Sequence, residues 1–101
     1  MTIENAKIES TFLGREDHGI MTFMLHLKYE HAVQGFGGYS LGNTEFAMTA
    51  IDAVLKTVGV NSWEELPNKY VRVENNQHSI IRIGHLIEDK WLNLKELAAL
   101  Y

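Results

Sequence analysis

One long stretch of this chain repeats its apolar residues at helical spacing: Phe46, Ala47, Ala50, Ile51, Val54, Leu55 and Val58. A stripe of that kind is stable only when another layer covers it. The segments around it keep a different period. Phe23, Leu25, Leu27 and Tyr29 alternate with Met24, His26 and Lys28, the two-residue repeat of a half-buried strand. One helical stripe among strand-patterned segments leaves few architectures, and the simplest lays the helix on one face of a sheet.

Turn residues divide the rest. Residues 7–13 read as a strand, and residues 14–19 form a polar turn bracketed by Gly14 and Gly19, so a hairpin joins them to residues 20–29. Glu30 and His31 make a second turn before a third strand over residues 32–41. Asn43 or Thr44 caps a helix over 45–58, which Gly59 stops. Ser62 and Glu65 have the spacing of a capping box, opening a short helical turn that ends at Pro67-Asn68. Residues 70–74 and 79–84 form a second hairpin across residues 75–78, and residues 92–100 a short C-terminal helix. The expected fold is a single α+β domain over residues 1–101. It has an antiparallel sheet of about five strands, one long helix packed on it and a short C-terminal helix.

Composition narrows the function. The 101 residues include no cysteine, which excludes thiol catalysis and Cys-bound zinc and suits a reducing cytoplasm. Met1 to Asn5 is neither basic nor apolar, so no signal peptide is expected, and no run of apolar residues is long enough to span a bilayer. Nine basic residues lie scattered among thirteen acidic ones, giving a net charge of −4, which disfavours duplex nucleic acid as a partner. A small anionic ligand needs only a cation or two and some backbone amides.

The stretch Gln34-Gly35-Phe36-Gly37-Gly38-Tyr39 is the costliest in the chain, because glycine weakens a strand unless a bulge or a close approach requires it. Glycines also let backbone N–H groups form a nest for phosphate, beside which Phe36 and Tyr39 could stack on a base. The plainer reading is a bulged strand making room for the helix. Arg72 and Arg82 are each flanked by apolar residues, so alternation turns both to the same side of the second hairpin, where they could grip phosphates or bond Glu74 or Glu88. Glu16, Asp17 and His18 are metal-compatible side chains, but three neighbours without a second cluster do not make a metal site; a loop that closes over a ligand fits better. His26, His31, His78 and His85 are dispersed and no serine sits in a nucleophile elbow. No catalytic residue, metal or cofactor is expected. Trp63 and Trp91 read as core or interface anchors.

The blocks at residues 10–14, 16–20, 35–39, 62–66, 70–73 and 83–91, taken together, resemble a family of small phage and prophage proteins, the first family of Thoeris anti-defence proteins. The resemblance covers nearly the whole chain. It implies a phage-encoded sponge that sequesters cyclic ADP-ribose isomers, and in some members cyclic oligonucleotides, without cleaving them. It also implies a homodimer or a trimer of dimers in the host cytoplasm. By motif match it implies ligand contacts at Phe36, Gly37, Gly38 and Arg72, with Phe46 and Arg82 added by position. Gln34, Gly35, Asp17 and His18 complete the candidate set. The chain is shorter than that family between Leu41 and Phe46, which bears on how complete such a pocket is. The alternative expectation is a phage protein that inhibits or adapts a host protein through its sheet surface.

Overall fold

The computed structural model of the chain describes residues 1–30 and 32–101; His31, placed by the sequence in a turn, lies outside the described residues. The fold is α+β. Six antiparallel strands, β1 (Thr2–Arg15), β2 (Met21–Tyr29), β3 (Ala32–Gly37), β4 (Tyr70–Asn75), β5 (Ile80–Gly84) and β6 (Trp91–Leu92), form one sheet in the order β3-β2-β1-β4-β5-β6. Helix α1 (Thr44–Val58) buries the predicted stripe against one sheet face, a 3-10 turn spans Trp63–Glu65, and α2 (Leu94–Ala98) ends the chain's regular structure. Several expectations need correction: the first strand is longer than residues 7–13, running from Thr2 to Arg15, and the third stops at Gly37, short of Leu41. β6 is a sixth strand, whose two residues are too few to show a period, and the C-terminal helix is shorter than residues 92–100 because Trp91 and Leu92 pair with Gly84 and Ile83 instead.

The core lies between α1 and the inner sheet face. Ile8, Phe23, Leu25, Leu27, Val71, Val73 and Ile83 from the sheet meet Ala50 and Val54 from α1, all fully or almost fully buried. The alternating quartet of β2 is buried throughout. In β1 the alternation breaks. A bulge between Ile8 and Ser10 inserts Glu9, so that Thr11 and Leu13 face the core side opposite Leu25 and Phe23 while Phe12 is turned outward. That bulge lets β1 pair β4 with its first half and β2 with its second.

Local chemistry sets the helix ends. Asn43 is the N-cap: its Oδ1 accepts the amides of Glu45 and Phe46, both at 3.1 Å. Gly59 ends α1 at φ 90°, its N–H donating to the Leu55 carbonyl at 2.8 Å. The 3-10 turn uses only half of a capping box. Glu65 accepts the Asn61 amide at 3.1 Å and the Ser62 hydroxyl at 3.0 Å, so Ser62 donates rather than accepts. The Ser62 hydroxyl, then the Asn61 amide, hold the Glu65 carboxyl below its usual range.

Candidate functional site

Sheet order decides where the glycine-rich strand ends up. β3 is an edge strand, and the sheet curls until β3 and β5 lie within 8 Å, Cα to Cα. β6 pairs only with Ile83 and Gly84, so the Ile80–Arg82 edge of β5 is also open. Between these two edges lies a cleft of about 420 Å³, floored by Asn93, Leu94 and Lys95. Gln34 ties the edges at one end: Tyr29 donates its hydroxyl proton to Gln34 Oε1, and Gln34 Nε2 makes a long hydrogen bond of 3.5 Å to the His78 carbonyl. Burial, then the charges of Glu4 and Glu30, push the Tyr29 hydroxyl above its usual range.

Register gives the direction of each backbone amide. Gly38 N–H donates to the Phe23 carbonyl at 2.8 Å, and in an antiparallel pair such bonds recur at every second residue. Phe36 therefore turns its amide inward to β2, while the amides of Gly35 and Gly37 point out of the sheet edge into the cleft. The carbonyl of Gly35 shares that edge. Other donors surround them. Asn76 Oδ1 accepts from His78, Ser79 N and Ser79 Oγ, and Asn93 Oδ1 accepts the Glu96 amide, leaving the NH2 group of each without a hydrogen bond among the described residues. Lys95 is the one charged residue in the lining among the described residues. Tyr39 adds a half-buried ring, tilted against Phe46 with centroids 6.3 Å apart. A cleft whose described residues supply this many donors, one cation and no carboxylate favours an anion.

The glycines also answer to packing. A Cβ on Gly35 would meet Met24 Sδ at 2.7 Å on the outer face, and one on Gly37, at φ 130°, would be driven into the Phe23 carbonyl oxygen. Gly38, at φ 84°, turns the chain out of the strand, which ends at Gly37 rather than near Leu41. The packing demand and the open edge coexist in the same residues.

The other expected site residues disperse. Phe36 touches the cleft but is 4 % exposed, its ring in the core, and Phe46 is 4 % exposed between Tyr39 and Tyr101. Arg72 and Arg82 do share the outer sheet face, both over the ring of Trp91, with Cζ to centroid distances of 4.6 and 4.1 Å. Trp91 lies on Gly84, whose missing Cβ makes room for it. Arg72 donates from Nε to the His85 carbonyl at 2.7 Å and from an Nη to the Glu88 carbonyl at 2.8 Å. Arg82 pairs with Glu74 at 2.7 Å and lines a smaller cleft of about 340 Å³ that adjoins the first at Ile81 and Asn93. Asp17 and His18 sit in the β1–β2 turn, outside both clefts; there Glu16 accepts from the His18 ring at 3.0 Å and from the amides of His18 and Ile20. These bonds, the His18 ring first, lower the Glu16 pKa. No three His, Asp or Glu side chains among the described residues are grouped to hold a metal, and none of their helices is long and apolar enough to cross a membrane.

Comparison with known proteins finds nothing. No family model, no curated protein and no solved structure matches this chain. The cleft residues Asn76, Ser79, Asn93 and Lys95 carried no signal in the sequence, because only the curl of the sheet brings them beside β3.

Proposed function

We propose that the protein is a non-catalytic binder of a small anionic nucleotide, held in the cleft between β3 and β5, and that it sequesters a cyclic ADP-ribose-type signal as the family it resembles does. The observation that carries this reading is the pair of amides of Gly35 and Gly37, directed into a cleft where Lys95 is the one charged residue among the described lining residues. Those donors, with Asn76 and Asn93, suit a pyrophosphate; the Gly35 carbonyl suits an exocyclic amine, and Tyr39 offers a ring edge or face. Among the described residues no carboxylate or imidazole lines the cleft to act as a general base, so a captured ligand is expected to leave unchanged. The arginines support the fold from the opposite sheet face rather than the cleft.

Isothermal titration with cyclic ADP-ribose isomers tests the reading. Saturable binding is expected, weakened at least about tenfold by Lys95→Glu, with intact ligand recovered after denaturation. No heat at about 1 mM ligand, or cleaved ligand, contradicts it. The open edge of β3 also favours a second reading, in which an extended segment of a host protein adds to the sheet. Recovery of a stoichiometric protein partner that competes with the nucleotide would support that one.

A further inference from the structure

Only one face of the sheet is covered. α1, the 3-10 turn and α2 contribute to the core on the inner side, and among the described residues the outer face carries no second layer of helix or strand, only the 85–90 loop beside Arg72 and Trp91. Register shows what that face displays. Lys28 of β2 stands opposite Lys7 of β1, and Lys7 stands opposite Tyr70 of β4. The next row continues from Asn5 to Arg72 and on to Gly84 with Trp91 above it. Arg82 stands opposite Glu74 one row further.

Four of the nine basic residues therefore project from one face of a protein whose net charge is −4. Against them stand Glu74, which is paired with Arg82, Asp89, which accepts the Trp91 indole N–H at 3.0 Å, and Glu9 at the bulge. The remaining acidic side chains lie on the inner face (Glu4), in turns or on the helices. Like charges directly opposite on neighbouring strands are destabilising, and neither Lys7 nor Lys28 forms an ion pair among the described residues. Beside this unrelieved pair, Tyr70 is 55 % exposed. Trp91 is half-buried, and the Arg72 and Arg82 guanidiniums pack on its ring.

Aromatic rings interleaved with cations on an uncovered sheet are the chemistry that holds unpaired bases: the rings stack on bases while the cations follow the backbone. A duplex keeps its bases stacked on each other and offers no free π-face to Tyr70. We propose that the outer sheet face, centred on Lys7, Lys28, Tyr70 and Arg72, binds single-stranded nucleic acid. This surface is separate from the β3–β5 cleft and does not depend on it. With about three phosphates neutralised, affinity for a single strand falls about 20-fold between 50 and 200 mM salt.

Fluorescence anisotropy with labelled oligo-dT and oligo-rU of about 15 nucleotides tests this against full-length protein. Binding is expected at low salt with that salt dependence. The double variant Lys7→Glu, Lys28→Glu should weaken it more than about tenfold. Tyr70→Ala should weaken it at least about fivefold at unchanged salt slope, with Tyr70→Phe restoring it. Lys56→Ala, on α1, should leave it unchanged. Circular dichroism of each variant confirms that the fold is kept. The proposal is overturned by no anisotropy change at about 50 μM protein in 50 mM salt, or by a double variant that binds like the parent. Equal competition by duplex of the same sequence, or by polyglutamate, would also overturn it, the latter by showing a generic polyanion site.

Discussion

Substituting Gly37 by alanine should be far more damaging than substituting Gly35, although the two lie side by side in β3. Gly37 has φ 130°, which an L-residue adopts at a cost of about 1–2 kcal/mol. Its new Cβ would also be driven into the backbone carbonyl oxygen of Phe23, an atom fixed within the sheet, adding about 1–3 kcal/mol of overpacking. The sum, about 2–5 kcal/mol, is a large part of the 5–15 kcal/mol typical of a domain, and should lower Tm by at least about 10 °C. At Gly35 the obstacle is Met24 Sδ at 2.7 Å, on a flexible side chain that can swing away. Alanine there also restricts the unfolded chain, so the net effect should fall within about 1 kcal/mol of zero. Gly19, at φ 80° with no atom within 4 Å of a new Cβ, isolates the backbone cost alone and should lose about 1 kcal/mol. Urea denaturation of the three variants measures the series. If Gly37→Ala proved no worse than Gly35→Ala, the placement of Gly37 against Phe23 would be wrong.

Further outcomes follow from other contacts. Asn43→Ala removes the acceptor for the Glu45 and Phe46 amides and should cost about 1 kcal/mol in urea denaturation. Arg72→Met removes the donors to the His85 and Glu88 carbonyls, so amide exchange of residues 86–90 should accelerate, with stability falling by about 1–3 kcal/mol. Tyr29 has its pKa raised in the fold from 10.0, so the native state holds that proton more tightly than the unfolded chain. Its contribution is complete below that pH and is lost as pH rises through the folded value. Tm measured from pH 9 to 11 should therefore decline above about 10, less steeply in Tyr29→Phe.

Much of the fold was legible because its signals are local. The Phe23–Tyr29 alternation, the α1 stripe and the glycine stop at Gly59 each need only a few neighbouring residues. Strict alternation through β1 would put Phe12 with Ile8; the Glu9 bulge, invisible in a pattern, turns it outward. β6 escaped because two residues cannot show a period. The candidate site was half legible. Glycine marks Gly35 and Gly37 as unusual, but the side chains facing them come from β5 and α2, some forty to sixty residues later, and nothing in the sequence announces that the sheet curls. The arginines were placed on the correct face, yet their partners, Trp91 through Gly84 and the carbonyls of His85 and Glu88, depend on a loop whose path only the tertiary structure sets.

The most direct examination of the cleft uses the glycine amides themselves. In a proton–nitrogen correlation spectrum titrated with cyclic ADP-ribose isomers, the Gly35 and Gly37 resonances should move and saturate together with the Lys95 amide, while Gly19 stays fixed. Saturable binding that leaves Gly35 and Gly37 unmoved, or that shifts only outer-face amides such as Arg72, would show that the ligand sits elsewhere.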